Sequence, residues 1–205
     1  MNQPLKNISD DQIILEGWQN IIIEKLFNDE IKPCAITIQS KGRKNAYAWC
    51  STDERWQNGN PESAVQEINF SAEYLNRPVK DMFRTLIHEL VHAFNSQSGI
   101  RDYSGNGYHN SNFRKKCEEV GLTVQYTGKK YGWSDLTITE GSIADKLFST
   151  LEIDKTVFNY ARLEISKKKK APTKGKKWSC GCTNVRCAVE LSAECQDCGN
   201  EFIQQ

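Results

Sequence analysis

The sequence predicts an α+β fold followed by a small metal-stapled module, and three observations carry that prediction. Two stretches of about twenty residues repeat apolar side chains at helical spacing. Three short runs rich in β-type residues lie between them. Five of the eight cysteines crowd into residues 180 to 205.

The chain has 205 residues and a net charge of +1, enough for one medium domain with its own core and an appendage. Its start, MNQPLKNISDDQ, is neither basic nor apolar and the apolar clusters are short, so neither a signal peptide nor a membrane span is expected. A cytoplasmic protein is expected, nucleoid-associated if its source is bacterial. Charge is uneven: residues 1 to 165 hold 19 Lys/Arg against 22 Asp/Glu, residues 166 to 205 hold 8 against 4. Crowded cysteines at ligand spacings in a reducing compartment point to zinc more readily than to disulfides.

SDDQIILEGWQNIIIEKLF (9–27) opens on a cap at Ser9 or Asp10 and predicts a first helix packed on the core. AITIQS (35–40), AYAWCS (46–51) and EINFSAEYL (67–75), separated by SKGRKN and QNGNPES, predict a small antiparallel sheet. RPVKDMFRTLIHELVHAFNSQSG predicts a helix over about 78–97, with Pro78 in its first turn and Gly99 at its end. The Gly-rich loop IRDYSGNGYHN then leads into NSNFRKKCEEVGL, a further helix ending at Gly121. Residues 122–165 mix strand (TVQY, WSDLTIT) and helix (EGSIADKLFSTL) about a turn at Trp133. SKKKKAPTKGKK (166–177), with seven lysines, is a linker. Domain limits of 1–165, 166–177 and 178–205 follow.

Two of the three histidines stand in HELVHAF, residues 88 to 94. On a helix, His88 and His92 lie one above the other and can aim their ring nitrogens at one point. Glu89, about 100° around the helix, stays out of the ligand set yet can reach a metal-bound water as general base. Met82, Phe83, Leu86, Ile87, Leu90, Val91, Ala93 and Phe94 supply apolar flanks to this pair. The plainer alternative is a solvated stripe of Thr85, His88, His92 and Asn95. A catalytic zinc needs a third protein ligand and an open position. Ser98 excludes the HExxHxxGxxH class. His109 is the remaining histidine and imidazole suits zinc; Glu118 or Glu119 on the next helix is the carboxylate alternative. Tyr103 or Tyr108 could donate to an oxyanion, and EINFSAEYL could serve as an edge strand for extended substrate.

HELVHAF, then a loop, then His109-Asn110-Ser111-Asn112-Phe113 resembles the SprT-like (Spartan) zinc metallopeptidase family, whose pattern is HExxH followed by HGxxF. Asn110 replaces the glycine, a change eased by asparagine's tolerance of left-handed backbone. The resemblance implies a zincin-like protease domain, His88, His92 and His109 as ligands of a catalytic zinc, and Glu89 as the base.

Cys180-x-Cys182, Cys187 and Cys195-x-x-Cys198-Gly199 give five thiols for the four places of a zinc ribbon. The CxC spacing leaves Cys187 able to replace Cys180 or Cys182. In the resembled family the matching position is an ordinary strand residue, which implies Cys180, Cys182, Cys195 and Cys198 as ligands of a structural zinc. Cys34, Cys50 and Cys117 are expected to be small buried or half-buried residues. Lys167, Lys168, Lys169, Lys170, Lys174, Lys176, Lys177 and Arg186 suit phosphate contacts, and Trp178 could stack on bases, although a lysine run is equally a soluble linker. The family resemblance implies a protein substrate bound or crosslinked to DNA, with single-stranded or junction DNA as partner and no membrane. The expected activity is zinc-dependent endoproteolysis. The rival reading is a nucleic-acid-binding adaptor with two structural zincs and a silent HExxH site.

Overall fold

The computed structural model describes residues 7–40, 46–104, 107–152, 157–163 and 175–205. The chain divides into two compact units, residues 1–163 and 164–205. Among the described residues the first carries four α-helices and small sheets, the second a cysteine cluster on a three-stranded sheet. Among the described residues no helix is long and apolar enough to cross a membrane.

Helix α1 (Ile8–Phe27) begins one residue earlier than its sequence cap suggests. Asn7 takes the cap, and its backbone N–H donates to the Asp10 carboxylate at 3.0 Å, which places Ser9 and Asp10 inside the first turn. Leu15, Ile22 and Phe27 are fully buried. The buried Gln19 side chain donates to Cys34 O (3.0 Å) and accepts from Cys34 N (3.1 Å), so an amide side chain stands in for a missing strand partner.

Strands β1 (Ala35–Gln39), β2 (Ala48–Cys50) and β3 (Glu67–Ser71) form a sheet in the order β1-β3-β2. The all-antiparallel expectation is corrected here, because β1 and β3 are parallel and only β2 runs against β3. The excursion through β2 and the loop after it supplies the crossover that parallel neighbours need. EINFSAEYL is therefore not an edge: β3 is the central strand, buried along its whole length, and Ala72–Tyr74 leaves it as a 3-10 turn. The edge strands are β1 and β2.

Helix α2 (Val79–Gln97) starts at Pro78 and ends where Gly99 turns left-handed at φ +68. Met82, Phe83, Leu86, Ile87, Leu90 and Val91 are fully buried in the core shared with α1 and the sheet. Burial of that kind is worth roughly 1.5–3 kcal/mol per large side chain. Thr85 and Asn95 are also buried, so the residues flanking His88 and His92 are not a solvated stripe.

A short pair, β4 (Tyr103–Ser104) and β5 (Tyr108–His109), precedes α3 (Ser111–Glu119). Asn110 is not left-handed: its φ is −92, and its side chain caps α3 by accepting from Asn112 N and Phe113 N. Its polar side chain is used to hold a helix start rather than to relieve backbone strain. The hairpin of β6 (Leu122–Tyr126) and β7 (Trp133–Ile138) and helix α4 (Ile143–Thr150) complete the unit. Trp133 opens β7 rather than lying in the turn.

In the second unit β8 (Lys176–Ser179) is flanked by β9 (Asn184–Cys187) and β10 (Ile203–Gln204). Trp178 is only 9% exposed, which withdraws it from base stacking: a unit this small tucks an aromatic ring inward for want of an aliphatic core. Lys167, Lys168, Lys169, Lys170 and Lys174, with most of the proposed linker, lie outside the described residues.

Candidate metal centres

Helix α2 points His88 and His92 to one side at i and i+4, and β5 brings His109 across from the other. His92 Nε2 lies 3.2 Å from both His88 Nε2 and His109 Nε2. A tetrahedral zinc with bonds of about 2.0–2.1 Å separates its nitrogen ligands by about 3.3 Å, so His92 Nε2 stands at coordination-sphere spacing from each of the other two, and all three lie within 4.8 Å of one another. Burial, then the neighbouring imidazoles His92 and His109, hold His88 well below its ordinary pKa. Burial, then His92, lower His109 from 6.5 to about 4. Neutral rings are the form that binds metal.

Phe113, fully buried on α3, touches all three rings, at centroid distances of 4.8, 4.7 and 4.3 Å from His88, His92 and His109. His109 is fixed through its backbone as well: its N–H donates to Tyr131 O at 3.0 Å, and it bridges to Gly132. A Cβ at Gly132 would stand 2.1 Å from His109 O, and its φ is +65, so only glycine fits. Glu118 and Glu119 are engaged on the α3 surface with Arg114 and Lys116 and do not join the histidines.

Sequence reasoning missed Asp102. Only 4% exposed, its carboxylate accepts from His92 Nδ1 at 2.7 Å and from the buried Asn95 side chain at 3.1 Å. A carboxylate on the far ring nitrogen sets the tautomer and presents Nε2 to the metal. The sole signal available beforehand was an acidic residue in the loop between the histidines.

Glu89 is 5% exposed, with Oε1 4.0 Å from His88 Nε2. Burial raises its carboxyl from 4.5 to about 7, with His92 and a hydrogen bond from the Cys50 backbone N–H acting in the opposite sense. That amide, on the edge strand β2, was invisible to motif reading. A cleft of about 940 Å³ opens over the site, lined by Trp49, Cys50 and Ser51 on one side and Tyr103 and His109 on the other. Tyr103 lines the cleft and Tyr108 does not; the Tyr108 ring lies against Gly132. Half-buried donors converging beside a buried carboxylate under an open cleft are an arrangement suited to holding a metal.

The second centre gathers Cys180, Cys182, Cys195 and Cys198. Cys182 Sγ lies 3.3 Å from Cys180, 3.6 Å from Cys195 and 3.3 Å from Cys198. Zinc–sulfur bonds of about 2.3 Å imply separations of about 3.8 Å, slightly longer than these. All eight cysteines are free thiols. Cys187 sits half-buried on β9 opposite Lys176, outside the cluster. Lys176, Lys177 and Arg186 are exposed, and Lys177 and Arg186 face each other across the β8–β9 ladder.

An α+β unit with three convergent imidazoles, joined to a four-thiol module, defines a protein with two candidate metal centres, both compatible with zinc. The chain belongs to the SprT-like family, whose model matches residues 20–134, a span containing α2, His109 and Asp102. A search of curated proteins finds no match. Membership suggests a metalloprotease-like function.

Proposed function

We propose that the protein is a zinc-dependent endopeptidase of zincin-like fold that acts on DNA-associated or DNA-crosslinked proteins in the cytoplasm. The observation that carries the reading is the convergence of His88, His92 and His109 beside a buried glutamate under an open cleft. Three ligands leave a coordination position free, whereas a structural zinc site is closed by four; that favours an enzyme over a silent adaptor.

His88, His92 and His109 would hold the metal, which when bound acidifies a water and polarises a carbonyl. Glu89 takes a proton, and its buried carboxyl, held near neutrality, is suited both to accept it and to return it to the leaving amine. Asp102 keeps His92 in the right tautomer. Tyr103, at the cleft wall, is the better placed oxyanion donor. The edge strand β2, whose Ala48, Trp49 and Cys50 line the cleft, is the strand on which an extended substrate would pair. Cys180, Cys182, Cys195 and Cys198 would fold the ribbon around a second zinc. Lys176, Lys177, Arg186 and the linker lysines would contact DNA phosphates.

The test is cleavage of a protein covalently attached to single-stranded DNA, by the native chain and by Glu89→Gln, with unattached protein as control. Cleavage by the native chain alone, sparing the unattached protein, supports the reading. Two inactive proteins that both bind zinc and DNA would replace it with the adaptor.

A further inference from the structure

Away from the cleft, the turn end of the β6–β7 hairpin gathers aromatic rings and cations with no role in the chemistry above. Tyr126 and Tyr131 are 48% and 46% exposed. Tyr126 and Trp133 stand edge to face at 5.4 Å, and the Arg114 guanidinium lies 4.3 Å over the Trp133 ring. Lys130 Nζ stands 4.7 Å over Tyr131, and Lys129 beside it is exposed. None of the six lines the catalytic cleft.

The platform is held rigid. Gly132 N donates to Gly128 O and Thr127 N to Gly132 O, at 2.9 and 2.8 Å, closing the turn. The Tyr108 ring packs on Gly132. Half-exposed rings grouped on one turn mark a candidate interaction surface where single ones would not. Cations beside flat π faces select an occupant that is itself flat and anionic along its length.

We propose that this hairpin end is a binding surface for single-stranded nucleic acid, separate from the ribbon: unpaired bases stack on Tyr126, Tyr131 and the Trp133–Arg114 pair, and phosphates run past Lys129 and Lys130. Stacking of this kind is tolerant of sequence because every base has a π face. An acidic peptide would use the cations but leave the rings idle. The surface adjoins the site through the backbone, since Tyr131 O accepts from His109 N. The inference adds a partner surface to the proposed function, but its test does not depend on catalysis.

The experiment measures binding of a fluorescent oligothymidylate of about a dozen nucleotides to the zinc-loaded full chain carrying Glu89→Gln, so proteolysis plays no part. Lys129→Glu with Lys130→Glu, and separately Tyr126→Leu with Tyr131→Leu, are compared with the parent and with Lys177→Glu plus Arg186→Glu in the ribbon. Both hairpin variants should bind at least about ten-fold more weakly with unchanged thermal transitions. The lysine pair should also flatten the dependence of log affinity on log salt by roughly 1.4, or 0.7 per lost phosphate contact. Photocrosslinking with iodouracil in the oligonucleotide should label the peptide around Tyr131. Affinity within two-fold of the parent in both hairpin variants, or crosslinks confined to the ribbon, overturns the proposal. So does a hairpin that is protected by oligoglutamate or by anionic vesicles while ignoring the oligonucleotide.

Discussion

The two candidate metal centres are built on opposite principles. The histidine site is assembled by a fold that already has a core: α2 is buried along its apolar face, Phe113 underlies all three rings, and Asp102 and Asn95 fix the orientation of His92. The cysteine site works the other way, because its thiols, with Cys180 and Cys195 buried and Cys182 and Cys198 exposed, gather in a unit too short to bury much else. Cys180, Cys195 and Trp178 are its buried apolar residues. On the proposed reading, metal at the first centre would be an addition to a folded protein, and at the second a condition of folding.

Metal removal should separate the two most sharply. A strong chelator is expected to abolish peptidase activity and leave the far-ultraviolet signal of the helical unit nearly intact. The ribbon should lose its ordered amide resonances, since structural zinc in such modules is worth about 10–16 kcal/mol. If the helical unit melted as well, the contrast would fail. Cys198→Ser should reproduce ribbon loss alone. Cys187→Ser should leave two zinc equivalents per chain.

Glu89→Gln should lower kcat by about 10²–10⁴-fold, the range expected for loss of a positioned general base, with zinc content unchanged. Retained activity would move proton transfer to another group. A smaller effect is expected at Asp102. Asp102→Ala should weaken zinc binding at the histidine site by about 10–100-fold without altering the ribbon's zinc, read as one tightly and one loosely held equivalent in a chelator titration. Equal affinities would mean that Asp102 supports the loop and not the ligand.

How much of this was legible in the sequence follows from which forces are local. The α2 histidines and Glu89 could be read together because helix geometry alone fixes i and i+4, and the chain has few histidines to choose from. Asp102 could not, because no spacing rule connects a loop carboxylate to a ring nitrogen ten residues back; α2, β4 and the α3 cap bring them together. The Cys50 amide was equally hidden, since a backbone donor leaves no trace in residue type. The parallel direction of β1 and β3 was missed because direction is set by the long excursion between them, and short β-type runs carry no sign of it. Gly132 is special only because β5 passes within bonding distance of it.

The subtlest expectation concerns the metal-free histidine site, where buried groups oppose one another. Glu89, raised to about 7 in the fold, holds its proton more tightly than in the unfolded chain, so its contribution is complete below 4.5 and is lost as pH rises towards 7. His88 and His109, depressed in the fold, contribute in the other sense: their share is complete above 6.5 and is lost as pH falls, towards about 4 for His109. Between 4.5 and 6.5 the two trends offset each other in the native chain. Glu89→Gln removes the first and leaves the second. Urea unfolding of the metal-free variant across that window should therefore show stability rising more steeply with pH than in the native chain, by at most about 1.4 kcal/mol per pH unit for a single proton. Parallel slopes would mean that the Glu89 carboxyl titrates normally once the metal is gone. The cleft would then admit water to the base as freely as the surface does, and the resemblance between the two centres would be closer than their burial suggests.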